Sequence, residues 1–263
     1  MSKQSVNPNS KKIGIETDIK RVEPPTGELS ISTVGGSFII KEVFPIRNIL
    51  SRNYLALFFI AFFSLWSLRE LWLVQYLNLL DPTSRALTSA LIKISIWVIP
   101  VFLVVQYVEK KDPMAYLGLH SNVKKGLQWA LWISLAVGTY FFVLYGIILK
   151  NEMNLHLGIN VWLNHVLLVG FTEELVFRGL FLRKLMERFS FWKANRYTSL
   201  LFVSIHFPIW LRMGLFESWS IIGTILLVFF ISFALGFIYK KTNSLWSVII
   251  IHSAYDFFAS IFG

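Results

Sequence analysis

The sequence predicts an all-α fold, a polytopic membrane helix bundle with about seven transmembrane helices and a short polar N-terminal tail. Of the 263 residues, 55% are hydrophobic and 15% charged, and the mean hydropathy is +0.60. Soluble domains carry about 25% charged residues. The apolar residues form long runs, each close to the roughly 20 residues that cross a bilayer as a helix. The chain has no cysteine, which excludes disulfides and thiolate chemistry.

The predicted domains follow this change in composition. Residues 1–50 form a cytoplasmic polar tail, which holds too little apolar surface to fold alone, and end in a short interfacial segment. Pro45 argues against an unbroken helix in that segment. Residues 51–263 form the transmembrane domain. Its seven predicted segments are 54–76, 86–108, 127–149, 161–182, 197–213, 219–239 and 245–261.

The basic residues predict the orientation of these segments. With a cytoplasmic N-terminus, Arg85, Lys150 and Arg212 lie outside, and Lys93 snorkels to the outer interface. Basic residues are more frequent in cytoplasmic loops, so the excess of basic residues on this side favours the arrangement. With seven spans, the C-terminus is then external. The inside residues are Lys41, Arg47, Arg52, Lys110, Lys111, Lys124, Lys125, Arg183, Lys184, Arg188, Lys193, Arg196, Lys240 and Lys241.

Six ionisable side chains are predicted to lie deep within the apolar segments, where such groups are costly and usually functional. At 1.5 Å per residue, four of them lie at similar depths, roughly 10–16 Å from the cytoplasmic end. Three helices thus bring acids and imidazoles to one level, although three unrelated polar contacts are an alternative. The six are Glu173, Glu174, Arg178, His206, His252 and Asp256.

Helical spacing separates the two glutamates. Glu174 and Arg178 are four residues apart and share a face, so they are expected to form an ion pair. Glu173 is rotated by about 100° from Glu174, which leaves it unpaired and able to take a proton from water. His252 and Asp256 also share a face by the same spacing.

Three short motifs within residues 125–261 resemble those of one family. Glu173-Glu174-Leu-Val-Phe-Arg178 resembles the EExxxR motif of the CPBP intramembrane proteases (CAAX proteases and bacteriocin-processing enzymes, or Abi family). Phe202-Val-Ser-Ile-His206 resembles their FxxxH motif. His252-Ser-Ala-Tyr-Asp256 resembles HxxxN or HxxxD. The order and spacing make the set more specific than any single motif.

The resemblance implies a glutamate-dependent peptidase that needs no cofactor and acts on a membrane-associated protein or peptide. By this match Glu173 is the general base, His206 assists the attacking water, and Glu174 and Arg178 support the site. His252 and Asp256 would stabilise the oxyanion. The prenyl-protein proteases usually have Asn at the last position. An amide donates directly to an oxyanion, whereas Asp256 either donates in a protonated form or orients His252.

Three other interpretations stay open. Glu, His and Asp side chains are zinc ligands, although the HExxH signature is absent, so a zinc-dependent intramembrane protease is one alternative. A transporter or proton relay is the second. The third is a non-catalytic membrane scaffold or immunity-type protein that kept the motifs. Nucleic-acid binding is not expected, because the basic residues are spread over many loop ends. The substrate and the oligomeric state stay open.

Overall fold

The computed structural model describes residues 30–34, 37–41 and 45–262, with side chains from residue 53 onward. These residues divide into two units, one that ends at Arg52 and a second, Asn53–Gly263. In the first unit, strands β1 (Ser30–Val34) and β2 (Ser37–Lys41) pair antiparallel, with Ser30 opposite Lys41. The sequence predicts a polar tail here and not a hairpin. The predicted tail before residue 30 lies outside the described residues.

The described part of the chain from residue 45 onward is helical. Pro45 is the first residue of α1, a position where its missing N–H leaves no hydrogen bond unmade. The helices are α1 (Pro45–Leu68, continued by Arg69–Leu73 and Val74–Leu77), α2 (Pro82–Val108), α3 (Pro113–Tyr116), α4 (Val123–Ile148), α5 (161–186), α6 (Phe191–Ser204), α7 (Phe207–Arg212), α8 (Ser220–Thr242) and α9 (Leu245–Phe262), with a 3₁₀ turn at Leu215–Glu217.

The prediction of an all-α polytopic bundle is confirmed, but the count of seven spans is not. Five helices among the described residues are long and apolar enough to cross a membrane: Asn53–Leu77, α2, α4, α8 and α9. The middle of α5 carries two glutamates and an arginine, which lower its hydropathy. Helix α6 has 14 residues, about 21 Å, which is too short for ~30 Å of hydrocarbon. The two segments that miss the criteria are those that carry the first two motifs.

Several helices contain wider π-type turns, which are often found at functional sites. In α5 such turns occupy Val161–Leu167 and Leu175–Leu182, on either side of the regular segment Leu168–Glu174. Both glutamates therefore lie at the end of the regular segment, and Arg178 lies in the wider turns that follow.

The core of the second unit forms where α5 is enclosed by its neighbours. Every residue from Thr172 to Leu182 is buried. The ring of Trp97 in α2 packs against Phe62 and Trp66 of α1 and against Phe177 of α5. Helix α9 packs along both α4 and α5. Helix α5 thus runs through the interior of the bundle, which explains how it accommodates charges that lipid would reject.

Candidate active site

The first motif forms a buried ion pair that is anchored to a second helix. Arg178 Nη1 donates to Glu174 Oε1 at 2.8 Å, as the spacing of the two residues predicts, and both side chains are inaccessible to solvent. Arg178 Nη2 donates to the carbonyl oxygen and to Oγ of Ser232 in α8, at 2.6 and 2.9 Å. The guanidinium also lies 5.0 Å from the ring centroid of Phe202 in α6. Arg178 therefore joins α5, α6 and α8.

The third motif meets the first through His252 of α9. Its Nδ1 lies 2.7 Å from Glu174 Oε1. Because the same oxygen of Glu174 accepts from Arg178, it acts as the acceptor here too, and the proton of this bond is assigned to His252 Nδ1. On the other edge of the ring, Nε2 lies 3.9 Å from Glu173 Oε2 and 3.4 Å from Asp256 Oδ2. Glu174 thus orients the imidazole so that its Nε2 edge faces the other two carboxyl groups.

The second motif contributes His206, at the point where α6 ends and α7 begins. Nδ1 of His206 lies 2.8 Å from the carbonyl oxygen of Phe202. A carbonyl can only accept, so Nδ1 carries the proton and Nε2 is left as an acceptor. The ring of Phe202 lies 5.0 Å from that of His206 and 6.0 Å from that of His252. Phe202 therefore packs against both imidazoles and fixes their spacing.

Glu173, His206 and Asp256 line one cavity of about 450 Å³. The other lining residues come from the last three turns of α1, the first turns of α2 and α5, the junction between α6 and α7, α7 itself and the last turn of α9. These segments all lie at the end of the bundle where Arg85 and Arg212 are found, which we call the cavity end. The three polar groups therefore lie inside the bundle on a cavity directed toward the cavity end.

Two carboxylate oxygens at this cavity are buried without a hydrogen-bond partner among the described residues. They are Glu173 Oε2 and Asp256 Oδ2, the same two atoms that face His252 Nε2. A buried acceptor that lacks a donor costs free energy. These oxygens are therefore positioned to accept hydrogen bonds from a molecule that enters the cavity.

The structure brings five of the six predicted site residues into one chain of contacts, from Arg178 through Glu174 and His252 to Glu173 and Asp256. Within the described residues, His206 makes no ion pair with them and joins them through the cavity wall and Phe202. The contact between Glu174 and His252 was not predicted, because it depends on how α5 packs against α9.

Six ionisable residues that were not predicted as site residues also line the cavity: Arg69, Glu70, Arg85, Lys93, His165 and Arg212. Glu70 is buried in α1, where it pairs with Arg69 and with Arg212. Lys93, which was predicted to snorkel to the outer interface, lies on the wall of this cavity. It is half-buried, its Nζ donates to the carbonyl oxygen of Asn164 at 2.9 Å, and it lines the same cavity as Glu173. The signal was present, because Glu70 and Lys93 interrupt apolar helices.

The acids and imidazoles of the site are side chains of the kinds that bind zinc. Among residues 53–262, no group of three or more His, Asp and Glu side chains has the geometry to hold a metal ion. Glu174 Oε1, which lies closest to His252, already accepts from Arg178.

Residues 154–258 match the family model described as Rce1-like, type II CAAX prenyl endopeptidase Rce1-like. This segment is Rce1-like. It contains all three motifs, so the resemblance to the CPBP and CAAX protease family is confirmed. No curated protein and no solved structure matches the chain. Together with the five apolar helices, this similarity to the family model supports a multi-pass membrane protein that resembles a family of proteases over residues 154–258.

Proposed function

We propose that the chain is an intramembrane endopeptidase that hydrolyses a peptide bond of a membrane-associated protein or peptide with a glutamate-activated water. The observation that carries the proposal is the pair of unpartnered carboxylate oxygens, Glu173 Oε2 and Asp256 Oδ2, which face His252 Nε2 in a cavity inside the described bundle. Peptide hydrolysis needs a base for water and a donor for the oxyanion, and this arrangement supplies groups of both kinds.

Glu173 is the general base in this proposal. A water molecule in the cavity donates one hydrogen to Glu173 and the other to the free Nε2 of His206, which leaves a lone pair for the carbonyl carbon of the substrate. As the C–O bond forms, the water proton passes to Glu173. Glu173 then delivers that proton to the amide nitrogen as the C–N bond breaks, so that a carboxyl group and an amine leave.

His252 stabilises the oxyanion. In this proposal His252 is an imidazolium, so both ring nitrogens donate. Nδ1–H is held by Glu174, and Nε2–H, on the edge that faces Glu173 and Asp256, donates to the developing negative charge. Asp256 lies 3.4 Å from the same nitrogen and helps to orient the ring. Glu174 and Arg178 are positioning residues, since their contacts lead to Glu173 and Asp256 only through His252.

The test is cleavage of internally quenched peptides with apolar segments by the purified chain in phosphatidylcholine nanodiscs. Glu173→Gln and His206→Ala are expected to abolish cleavage, because the amide of Gln cannot take the proton of the attacking water and Ala lacks the accepting Nε2. Glu152→Gln is the matched control, since Glu152 is an exposed loop residue outside the cavity. A non-catalytic scaffold would show no cleavage that depends on Glu173, and normal cleavage by Glu173→Gln would contradict the proposal.

A chelator distinguishes this mechanism from a zinc-dependent one. Because Glu173 activates the water directly, we expect cleavage to persist after chelator treatment and the purified protein to hold no stoichiometric zinc. Elemental analysis and the peptide assay check this together. Inhibition by the chelator that added zinc reverses, with one zinc per chain, would overturn the glutamic mechanism.

A further inference from the structure

Basic side chains are concentrated on the wall of the cavity beyond its catalytic groups. Four basic residues line this wall: Arg69, Arg85, Lys93 and Arg212. Apart from Glu173 and Asp256, Glu70 is the one acidic residue among the described lining residues. Three of the four, Arg85, Lys93 and Arg212, are among the few basic residues that the positive-inside rule assigns to the outer end of the helices. Their shared position in one cavity indicates a role in binding and not in membrane orientation.

Two of the four cations are already compensated. Glu70 is 1% exposed and forms ion pairs with Arg69 and with Arg212, the latter at 3.3 Å. Lys93 and Arg85 have no carboxylate within ion-pair distance among residues 53–262. The ammonium of Lys93 donates to a backbone carbonyl oxygen and lies 6.0 Å from the ring of Trp66. This part of the cavity therefore has two basic side chains that form no direct ion pair with a described carboxylate.

A second polar group of fixed orientation lies next to Lys93. Nδ2 of Asn164 donates to the carbonyl oxygen of Ala86 and to Oδ1 of Asn160, both at 2.9 Å. These two bonds use both amide hydrogens and fix the orientation of the side chain. Asn164 is 4% exposed, and its Oδ1 has no partner among the described residues. It is a preformed acceptor for an N–H group at the same cavity.

We propose that Lys93 and Arg85, with Asn164 beside them, form a subsite that binds a carboxylate of the substrate and a neighbouring backbone N–H. The inference deepens the proposed endopeptidase function and rests on it. Lys93 and Arg85 supply the charge-assisted donors, and Asn164 Oδ1 supplies the acceptor. A peptide carries both groups together at its C-terminal residue, and an Asp or Glu side chain near a backbone N–H offers the same chemistry. The shared requirement is a carboxylate at one end of the bound segment.

The test measures binding and not cleavage, so it uses the full chain with Glu173→Gln in nanodiscs of zwitterionic phosphatidylcholine. Three fluorescein-labelled apolar peptides serve as probes: one with a free C-terminal carboxylate, one with a C-terminal amide, and one with a C-terminal amide and Glu as its last residue. Fluorescence anisotropy gives the dissociation constant of each. We expect the free carboxylate to bind about tenfold or more tightly than the neutral amide, as for a hydrogen bond to a charged group.

Substitutions then assign the selectivity to the subsite. Lys93→Gln and Arg85→Gln, each added to the Glu173→Gln chain, are expected to remove most of the preference for the carboxylate, whereas Lys93→Arg keeps it. Arg85 makes no ion pair with another described residue, so Arg85→Gln serves as the variant least affected by misfolding. Lys150→Gln is the matched control, because Lys150 is an exposed residue at the cavity end that does not line the cavity, and it should leave the preference unchanged.

The three probes separate the sources of the carboxylate. Tight binding of the free terminus alone indicates a C-terminal residue, and equal tightening by the Glu probe indicates that any carboxylate is accepted. Equal affinity for all three probes, or a preference that survives the double variant Lys93→Gln and Arg85→Gln, overturns the subsite. If the chain with Glu173 intact cleaves none of the peptides while the preference persists, the proposed function fails and the subsite stands.

Discussion

At the scale of single residues, Glu174 makes one more contact than its four-residue spacing from Arg178 predicts, because it also binds His252. One oxygen of this carboxylate accepts from Arg178 and lies 2.7 Å from His252 Nδ1. Glu173, the preceding residue, lies on another face of the helix, and its buried Oε2 has no hydrogen-bond partner among the described residues. The two adjacent glutamates therefore differ in what they stabilise, since one supports the fold and the imidazole and the other faces the cavity.

This difference predicts that only one of the two Gln substitutions lowers stability substantially. Glu174→Gln leaves the buried guanidinium of Arg178 without a counter-charge, and breaking a buried pair in this way costs roughly 3–5 kcal/mol. It also removes the carboxylate that holds the Nδ1 proton of His252. We therefore expect Glu174→Gln to lower both the unfolding temperature in detergent and the cleavage rate.

Glu173→Gln should abolish cleavage with little change in the unfolding temperature. Thermal unfolding followed by tryptophan fluorescence checks both variants, with Glu152→Gln again as the control. An unfolding temperature that falls more for Glu173→Gln than for Glu174→Gln would reverse the assignment.

At the scale of elements, the site depends on close contact between α5 and α9. Gly170 lies one turn before the glutamates and touches α9 beside His252. A Cβ at this position would lie 2.4 Å from Ser253 Oγ and 2.7 Å from the carbonyl oxygen of Ile249. The second of these atoms is backbone and cannot rotate away. Glycine is therefore required here for the two helices to come close enough for His252 to reach Glu174.

We predict that Gly170→Ala lowers cleavage about tenfold or more and reduces stability by about 1–3 kcal/mol, the usual cost of overpacking. Gly223→Ala is the matched control, because a Cβ added to Gly223 in α8 would have no described atom within 4 Å. Alanine there should be neutral or slightly stabilising. Unfolding temperatures and peptide cleavage measured for both variants test whether glycine is required at position 170. Normal cleavage by Gly170→Ala would show that the helices can separate without harm.

A second contact between elements lies at the end of the bundle opposite the cavity end. Glu109 directly follows α2, and its Oε2 accepts from Nζ of Lys184, near the end of α5, at 2.8 Å. Its other carboxylate oxygen accepts from the hydroxyl of Tyr54 in α1. Burial raises the pKa of Glu109, but the hydrogen bonds from Lys184 and Tyr54 and the charge of Lys184 outweigh burial, so that its pKa is lowered.

The lowered pKa predicts a pH-dependent contribution to stability. The pKa of a glutamate in the unfolded chain is about 4.3. The stabilisation by Glu109 is therefore present above that pH, and it is lost as the pH falls through the lower pKa of the folded state. We expect Glu109→Gln to lower the unfolding temperature at about pH 7 and the difference from the unmodified chain to shrink below about pH 4. Unfolding curves at both pH values check this, and a difference that grows at acid pH would contradict it.

At the scale of the whole molecule, the positive charges differ between the two ends of the helices. The end with Arg183, Lys184, Lys240 and Lys241 carries the larger number, and the basic residues of the cavity end are largely those that line the cavity. We propose that the end opposite the cavity faces the cytoplasm, with the N-terminus inside and the C-terminus outside.

Fusions to a reporter that works on one side of the membrane test this orientation. A C-terminal alkaline phosphatase fusion, which is active only outside the cytoplasm, should be active, and a fusion in the loop after Glu187 should be inactive. Removal of the basic charge from the cavity, as in Arg85→Gln, should leave both results unchanged. A C-terminal fusion that works only in the cytoplasm would refute this orientation.

The sequence by itself determined the features that depend on composition and on neighbours along one helix. The apolar runs predict a membrane helix bundle, and four-residue spacing predicts the pairing of Glu174 with Arg178 and of His252 with Asp256, because such contacts follow from the helical repeat alone. The three motifs likewise indicate the family, since their residues and order are present in the chain before it folds.

Only the tertiary structure decided which helices meet and which charges they share. The bond between His252 and Glu174 spans 78 residues, and the placement of Lys93 and Arg85 in the cavity depends on the register of α2 against α5. The number of full spans also depended on packing, because α5 holds its charges inside the bundle where other helices replace lipid. The physical reason is that contacts between distant segments are set by side-chain packing across helices, which no local spacing specifies.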